Sequence, residues 1–328
     1  MTIIDVHTHM LNREWFEMIR KHGKRYEIGP AAGGVEGILF DKAPFMTPMP
    51  GHFDYDYRIE QMDKADVDVA VVSLTCPNVY FGSQEVSLKA AQIVNDDMSE
   101  AQSRFPDRIR WMTSLPWEYP ELAVAELERT VKNGAVAVMV LANINGRSLT
   151  DPVFAPVWQA IDDHALPVLV HPTVPPGAAE MDLVNFNLTA SVGFMFDTSL
   201  AFARIFYDGF LDRYPNLKLI ASHAGGALPY LVGRLDQCFD NMGACKVKTR
   251  TRPSAYMRRI YFDSVTYRTE ALEMCVRVAG ADRVMYGSDY PHNIGDMKGC
   301  RDRVDALPAE QARAVRSENA LRIFNLGL

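Results

Sequence analysis

Two histidines separated by one residue stand near the N-terminus, in the segment Asp5-Val6-His7-Thr8-His9. The preceding run Thr2-Ile3-Ile4 is apolar and β-branched, which predicts a buried strand. Because side chains alternate along a strand, His7 and His9 would point to the same side at its end. Two neighbouring imidazoles on a rigid edge can bind a metal of the zinc class, although such a pair also arises by chance on surfaces.

Three further polar residues directly follow apolar runs that predict strands. His171 follows residues 168–170, His223 follows 219–222, and Asp289 comes shortly after 284–286. If the strands are parallel, these side chains and the first two histidines share one rim. Four of the eight histidines and one aspartate would then converge, which favours a shared chemical site over coincidence.

Apolar strands alternate with helices along most of the chain, which predicts a (β/α)₈ TIM barrel of the α/β class. Solid apolar strands are typical of a parallel sheet covered on both faces. An open doubly wound sheet is the alternative, weakened because no G-x-G-x-x-G follows the first strand. We expect a single domain over 1–328. The predicted strands are 2–4, 67–74, 108–115, 135–141, 167–170, 217–222, 260–262 and 283–286. The predicted helices are 13–21, 58–65, 85–105, 118–133, 151–164 and a closing helix at 308–324.

An inserted loop after the first strand, residues 23–56, is rich in Gly, Pro and Met. Ordered loops of this length are usually lids or binding loops, and its Phe and Met content indicates packing over something. A floppy insertion is the alternative.

Composition excludes several classes of function. The net charge of -7 and a pI near 5.6, with no basic stretch, argue against nucleic-acid binding. The five cysteines are odd in number and show no C-x-x-C, which indicates reduced thiols in a cytoplasmic protein. No positively charged and then apolar leader precedes the first predicted strand, and no run of about 18 apolar residues occurs in the sequence. We therefore expect no membrane association.

Seven motifs together resemble the amidohydrolase superfamily, in the branch of 2-amino-3-carboxymuconate-6-semialdehyde decarboxylase. That branch also holds γ-resorcylate and 5-carboxyvanillate decarboxylases and some related hydrolases and hydratases. The motifs are Asp5-Val6-His7-Thr8-His9, Arg58-Ile59-Glu60-Gln61-Met62-Asp63, Leu169-Val170-His171-Pro172, Ser222-His223-Ala224-Gly225-Gly226, Gly233-Arg234-Leu235-Asp236, Tyr261-Phe262-Asp263-Ser264 and Gly287-Ser288-Asp289-Tyr290-Pro291.

The resemblance implies one divalent metal per chain, bound by His7, His9, His171 and Asp289, with His223 as the catalytic histidine. Binuclear amidohydrolases carry a bridging lysine or acidic residue on the fourth strand, and residues 135–141 contain neither. Three nitrogen ligands and a carboxylate suit Zn²⁺, with Mn²⁺ as a possible substitute.

The implied activity is that of a carboxy-lyase, a metal-dependent non-oxidative decarboxylase of a hydroxylated aromatic acid or a carboxymuconate-semialdehyde-type intermediate of aromatic degradation. In that reaction His223 and Asp289 would move protons. The alternative is a metal-dependent hydrolase or hydratase acting on a C–C or C–N bond of a related ring-cleavage intermediate. A non-catalytic binding barrel is disfavoured because the full set of expected residues is present.

The resemblance also bears on the substrate and on assembly. A small carboxylated molecule is expected, but Met46 and Met242 stand by spacing where the carboxymuconate enzymes have substrate-binding arginines. A flatter, less charged substrate is therefore favoured. Arg234 matches an arginine that reaches the partner subunit's site, which implies a homodimer or higher homo-oligomer; a salt bridge with Asp236 or a helix-dipole contact is the alternative.

The remaining histidines, one aspartate and two tryptophans are given structural or supporting roles. His22, His52 and His164 are expected to be solvated, and His292 to lie near the site as a supporting group. Asp263 either orients His223 or caps a loop. Trp111 and Trp158 are expected in the core.

Overall fold

The computed structural model describes residues 2–327. Eight strands form one parallel sheet in chain order, and nearly all of their residues are buried, as a sheet covered on both faces requires. They are β1 Ile4–His9, β2 Val69–Ser73, β3 Ile109–Ser114, β4 Ala137–Leu141, β5 Pro167–His171, β6 Lys218–Ala221, β7 Tyr261–Asp263 and β8 Val284–Met285.

Backbone hydrogen bonds close this sheet between β1 and the segment that continues β8. The Val6 N–H donates to the Tyr286 carbonyl over 3.0 Å, and the His9 N–H donates to the Tyr290 carbonyl over 2.7 Å. Closure confirms the predicted (β/α)₈ barrel and excludes the open doubly wound sheet.

Helices cover the outside of the barrel and fill its connections. The α-helices span Arg13–His22, Tyr55–Lys64, Gln84–Arg104, Pro120–Lys132, Ala155–Asp163, Phe194–Asp208, Phe210–Arg213, Leu228–Asn241, Pro253–Met257, Thr269–Ala279, Met297–Asp305, Ala309–Arg313 and Asn319–Phe324. The short segment Ser222–Gly225 after β6 is a left-handed turn. In the part of the chain that the structure describes, none of the helices is both long and apolar enough to span a bilayer.

The segment inserted after β1 is an ordered small sheet. Its strands Tyr26–Pro30, Glu36–Phe40 and Ala43–Met46 pair antiparallel, and a single 3₁₀ turn, Pro50–His52, follows them. The Phe45 ring packs against the Phe194 ring at 6.1 Å. The alternative of a floppy insertion is therefore wrong. Strands of four or five residues that contain Gly and Pro are too short to show a clear alternation.

The predicted closing helix is present but contains a π-turn, Ala314–Glu318, between its two α-helical parts. At this turn the Val315 carbonyl accepts the Tyr286 N–H over 2.8 Å, so the helix holds the end of β8. Trp111 and Trp158 are buried in the core, as predicted.

Candidate functional site

His7 and His9 end β1, and both side chains are fully buried. His7 Nδ1 lies 2.6 Å from Asp263 Oδ2, and His9 Nδ1 lies 3.2 Å from the Leu74 carbonyl oxygen. Because both neighbours are acceptors, the proton of each ring sits on Nδ1. The lone pair of each Nε2 is therefore free to bind a ligand inside the barrel mouth.

His171 ends β5 in the same state. Its Nδ1 donates to the Pro172 carbonyl over 2.8 Å, which leaves Nε2 without a proton. The Nε2 atoms of His171 and His7 are buried and have no hydrogen-bond partner among residues 2–327. Buried polar atoms are nearly always paired, so two orphaned lone pairs at one rim fit a bound metal ion.

Asp289 supplies the carboxylate between these rings. Its Oδ1 lies 3.2 Å from His9 Nε2 and 3.4 Å from His7 Nε2. The residue has a positive φ of 59°, held by its backbone N–H, which donates to the His7 carbonyl over 2.8 Å. Burial by itself would raise the pKa of Asp289, but the neighbouring His223 imidazole holds that pKa well below its usual range. The carboxylate is thus ionised and can bind a cation.

Burial lowers the pKa values of the ligand candidates on either side of Asp289. That of His9 falls to about 3, and that of His171 lies well below its ordinary value. Both imidazoles are therefore neutral, which is the form that binds metal.

The structure brings together all five residues that the sequence placed on the rim. The donor atoms of His7, His171, His223 and Asp289 lie within 4.8 Å of one another. The His9 ring centroid lies 4.9 Å from that of His171 and 5.1 Å from that of His7. Imidazole nitrogens with one carboxylate suit a divalent ion of the Zn²⁺ or Mn²⁺ kind.

His223 follows β6 in a left-handed turn, with φ of 56°. Its Nε2 lies 3.6 Å from Asp289 Oδ2, and its Nδ1 is buried without a partner among the described residues. Gly225 and Gly226, which follow, also have positive φ; a Cβ at Gly226 would lie 2.5 Å from the Met195 carbonyl oxygen. A side chain would not fit there, so this turn fixes the approach of His223.

Asp263, at the end of β7, holds two parts of the cluster at once. Besides His7, its carboxylate accepts the backbone N–H groups of His223 at 2.9 Å and Ala224 at 3.0 Å. The sequence left open whether this residue orients His223 or caps a loop; it does both, and it also sets the tautomer of His7. Burial alone would lower the pKa of His7, but the negative charge and hydrogen bond of Asp263 raise that pKa above its ordinary value.

Changing Asp263 to asparagine should weaken metal binding by about 10- to 100-fold, the usual effect of losing a carboxylate behind a ligand histidine. The amide cannot match the charge that polarises His7 Nδ1. Titration of metal-free protein with Zn²⁺ or Mn²⁺ measures the change, and activity should return at high metal concentration. Asp56→Asn, at a side chain that is 61% exposed, is the control. Unaltered metal affinity would show that Asp263 has only a structural role.

Three further residues lie beside the cluster: Arg58 and His52 were not predicted there, whereas His292 was expected beside the site. Arg58 is fully buried; it donates to Thr8 Oγ1 over 2.7 Å and to the His9 carbonyl, and its guanidinium lies 4.8 Å from the Tyr290 ring centroid. The only sequence signal for Arg58 was its place in a recognised motif. Its contacts hold the backbone that carries His9.

His52 and His292 are the other two. His52 is fully buried, so the expectation that it is solvated is wrong; the small inserted sheet places it behind the site. Its ring lies 5.1 Å from that of His292, which in turn lies 4.8 Å from that of His9. His292 Nε2 also lies 3.1 Å from Thr75 Oγ1. His292 therefore lies beside the site, as expected of a supporting group.

Arg234 is exposed on the helix Leu228–Asn241. Asp236, the residue proposed as its salt-bridge partner in the alternative interpretation, instead accepts the backbone N–H of Ser254 over 2.9 Å. Of the two methionines at the positions of substrate-binding arginines, Met46 is buried in the inserted sheet and Met242 is 55% exposed. Neither position supplies a cation to the site.

Comparison with known proteins places this geometry in a family. The 2-amino-3-carboxymuconate-6-semialdehyde decarboxylase of Dictyostelium discoideum is 29% identical over 300 residues, covering 90% of this chain and 83% of the relative. The γ-resorcylate decarboxylase of Polaromonas sp. is 28% identical over 290 residues, covering 83% and 87%.

A crystal structure of 5-carboxyvanillate decarboxylase from Novosphingobium aromaticivorans, complexed with manganese and 4-hydroxy-3-methoxy-5-nitrobenzoic acid, has the same fold. It superposes with a TM-score of 0.86 at 24% identity over 99% of this chain and 96% of that one. The amidohydrolase family profile matches residues 4–326. The chain belongs to the amidohydrolase family.

Proposed function

We propose that the protein is a metal-dependent carboxy-lyase that removes CO₂, without oxidation, from a hydroxylated aromatic acid. The observation that carries the proposal is the buried cluster of His7, His9, His171 and Asp289 with His223 beside it. The similarity to decarboxylases over most of the chain supports the same activity.

His7, His9, His171 and Asp289 would hold one divalent ion. When bound, the ion supplies a Lewis acid that polarises a substrate oxygen. The fourth strand, Ala137–Leu141, offers neither lysine nor carboxylate for a second ion. Zn²⁺ suits the nitrogen-rich ligand set, and the Mn²⁺ of the carboxyvanillate enzyme makes that ion the main alternative.

His223 would deliver the proton that replaces the carboxyl group. In decarboxylation the bond between the ring carbon and the carboxylate carbon breaks, and its electron pair stays on the ring carbon. A proton from the His223 imidazolium then forms the new C–H bond, which is general acid catalysis by a residue suited to neutral pH. Asp289, 3.6 Å from His223, stabilises the charged ring by its carboxylate.

The substrate is best described as a small carboxylated phenol with a single carboxylate near the metal ligands. Met46 and Met242 give no cation for a second carboxylate, which disfavours a dicarboxylate of the muconate type. A screen of hydroxybenzoates and muconate semialdehydes, with detection of released CO₂, tests the activity. Turnover without CO₂ would favour the hydrolase or hydratase alternative instead.

We place the enzyme in the cytoplasm as a single domain over 1–328. The five cysteines are free, and Cys76, Cys275 and Cys300 are buried, as suits a reducing compartment.

A homodimer is the proposed active unit. The helices Phe194–Asp208 and Leu228–Asn241 expose Phe196 (50%), Leu200 (40%) and Tyr230 (79%). Arg234 lies four residues after Tyr230, hence on the same face. Apolar side chains around an arginine are typical of an interface, and Arg234 would reach the substrate in the partner subunit.

Subunit mixing tests this assignment. Arg234→Ala and His223→Ala proteins should each be inactive, yet a heterodimer retains one intact site because each chain supplies what the other lacks. Random exchange between equal amounts of the two proteins should make half of the dimers heterodimers, and each heterodimer has one working site of its two. About a quarter of the normal activity should therefore return. A mixture of His7→Ala with His223→Ala is the control, because every site keeps a defect. If exchange restores nothing, Arg234 does not act across the interface.

A further inference from the structure

A cavity of about 370 Å³ opens on the face of the barrel opposite the histidine cluster. Three of its lining residues mark the N-terminal ends of neighbouring strands: Lys218 begins β6, Tyr261 begins β7, and Arg283 directly precedes β8. The residues of the cluster stand at the C-terminal ends of the strands, where the active sites of such barrels lie. A ligand in this cavity would therefore be separate from the molecule that reacts at the cluster.

Positive charge is concentrated around this cavity. Four of its lining side chains are cationic, and none of the described residues that line it is acidic; the cations are Lys218, Arg258, Arg259 and Arg283. The chain as a whole has a net charge of -7, so this face departs from the overall balance. A concave surface lined by one sign of charge attracts ions of the opposite sign.

Two of the four cations have a carboxylate partner at the edge of the cavity. Arg259 Nη1 donates to Asp212 Oδ1 over 2.5 Å, and Arg283 Nε lies 3.2 Å from Asp282 Oδ2. The side chains of Asp212 and Asp282 are exposed, so water screens both pairs. These pairs offset part of the positive charge and leave the rest of it in place.

The other two cations, Lys218 and Arg258, form no ion pair with a carboxylate among residues 2–327. Lys218 Nζ instead donates to the Ile323 carbonyl over 3.4 Å. Burial, and after it the nearby Arg322 guanidinium, lowers the pKa of the Lys218 ammonium. Positive charge is thus held here at a cost in free energy, and a bound anion would offset that cost.

The Tyr261 hydroxyl adds an uncharged donor to the cavity. Tyr261 is 8% exposed, and its oxygen accepts the Arg283 Nη1–H over 3.0 Å. The Arg283 guanidinium also lies 5.1 Å from the centroid of the Tyr261 ring, which holds the two side chains together. The hydroxyl donates to none of the described residues, so its proton is available to an acceptor in the cavity.

Apolar groups complete the lining of the cavity. Leu211, Pro215 and Leu217 lie beside the cations, together with the Tyr261 ring. A volume of about 370 Å³ is within the range of about 300–1,000 Å³ that is typical of sites for small organic molecules. The cavity therefore suits a ligand with an anionic group on a carbon skeleton better than a bare inorganic ion.

We propose that this cavity binds a small organic phosphate monoester. Lys218, Arg258 and the Tyr261 hydroxyl hold the phosphate, and the apolar side of the cavity contacts the organic part. A guanidinium matches the geometry of phosphate oxygens, and a dianion balances the two cations that have no carboxylate partner. A monocarboxylate would balance only one of them. The inference goes beyond the proposed decarboxylation and does not depend on it.

Calorimetry with phenyl phosphate and with inorganic phosphate tests the site. Both titrations are made at the same ionic strength, set with chloride, so that general screening is equal. Phenyl phosphate should bind at one site per chain, at least about 10-fold more tightly than inorganic phosphate, because its ring buries apolar surface. If phenyl phosphate does not bind, or binds no better than inorganic phosphate, an organic phosphate site is excluded.

Charge-removing variants assign the binding to the cavity. Arg258→Gln and Lys218→Gln should each raise the Kd of phenyl phosphate by about 10-fold, the effect of losing one hydrogen bond between charged groups. Lys89→Gln, which removes an exposed cation on the helix Gln84–Arg104, should leave the Kd unchanged. Normal affinity in both cavity variants would refute the proposal.

Phenyl phosphate could also bind an ion at the proposed metal site, at the other end of the barrel. His171→Ala removes a proposed metal ligand without touching the cavity. If the phosphate binds in the cavity, His171→Ala keeps the Kd and Arg258→Gln raises it. The reverse result would place the phosphate at the metal and overturn this inference.

Melting temperatures distinguish a ligand site from a structural role of Arg258. Neighbouring cations repel one another, so Arg258→Gln should keep or raise the melting temperature of the ligand-free protein. The same variant should lose most of the stabilisation that phenyl phosphate gives to the unaltered protein. If it melts at a lower temperature without ligand and is still stabilised normally by phenyl phosphate, Arg258 supports the fold and does not bind the phosphate.

Discussion

Replacing Asp289 with alanine is expected to leave the purified protein without bound metal. Asp289 is the one carboxylate among the described donors grouped at the rim, and its ionised form balances the charge of a divalent ion. Elemental analysis should give about one ion per chain for the unaltered protein and nearly none for the variant. Turnover should fall by at least about 10²-fold, because several kcal/mol of charge stabilisation are lost with the ion.

Two further variants separate charge from packing. Asp289→Asn keeps the shape and removes the charge, so it should lose metal without creating a cavity. His7→Ala should lose metal as well, because its orphaned Nε2 belongs to the same cluster. Asp302→Ala, at an exposed pair with Lys298, is the matched control. Two tightly held ions in the unaltered protein, or full occupancy in the His7→Ala protein, would contradict a mononuclear site.

Metal removal should also lower thermal stability in the unaltered protein but not in these variants. An ion that binds only the folded chain stabilises it by mass action, by about 2.7 kcal/mol at a hundredfold excess over Kd. Melting temperatures with and without a chelator measure the difference.

The rim residues could be predicted because each stands at, or within a few residues of, the end of a predicted apolar strand. Parallel strands carry their C-terminal ends to one side of a barrel, so His171, His223 and Asp289 had to meet the histidines of β1. That argument needs only local sequence and the direction of the strands. It does not need to know which residues are packed behind the rim.

The contacts of the supporting residues could not be predicted in this way. Asp263 reaches His7 across 256 positions in the sequence, and only closure of the barrel brings β7 and β1 to the same rim. His52 is buried because the inserted sheet folds its connection back over β1, where the Leu11 N–H donates to the His52 carbonyl over 2.7 Å. The hydrophobic pattern of a segment predicts only which of its own residues are buried. These contacts cannot be predicted from it because each joins two segments that are distant in the sequence.

Loss of the His223 side chain is expected to separate chemistry from metal binding. The other three histidines and Asp289 already form a ligand set, so a variant at this position should keep its metal and its melting temperature. At φ of 56° asparagine is tolerated better than alanine, so His223→Asn preserves the turn while removing the imidazole, and His223→Ala serves as the second variant.

For both His223 variants kcat should fall by about 10²- to 10⁴-fold, the usual effect of losing a general acid. KM should change much less, because the lost interaction belongs to the transition state. His164→Ala, at an exposed histidine paired with Glu128 on the outside of the barrel, should leave both constants unchanged. Since His223 is grouped with His7, His171 and Asp289, a joint fall in metal content, melting temperature and kcat would instead identify it as a further ligand. A nearly normal kcat with full metal content would show that His223 only fills the space beside the Gly225-Gly226 turn, and the proton would then have to come from another group.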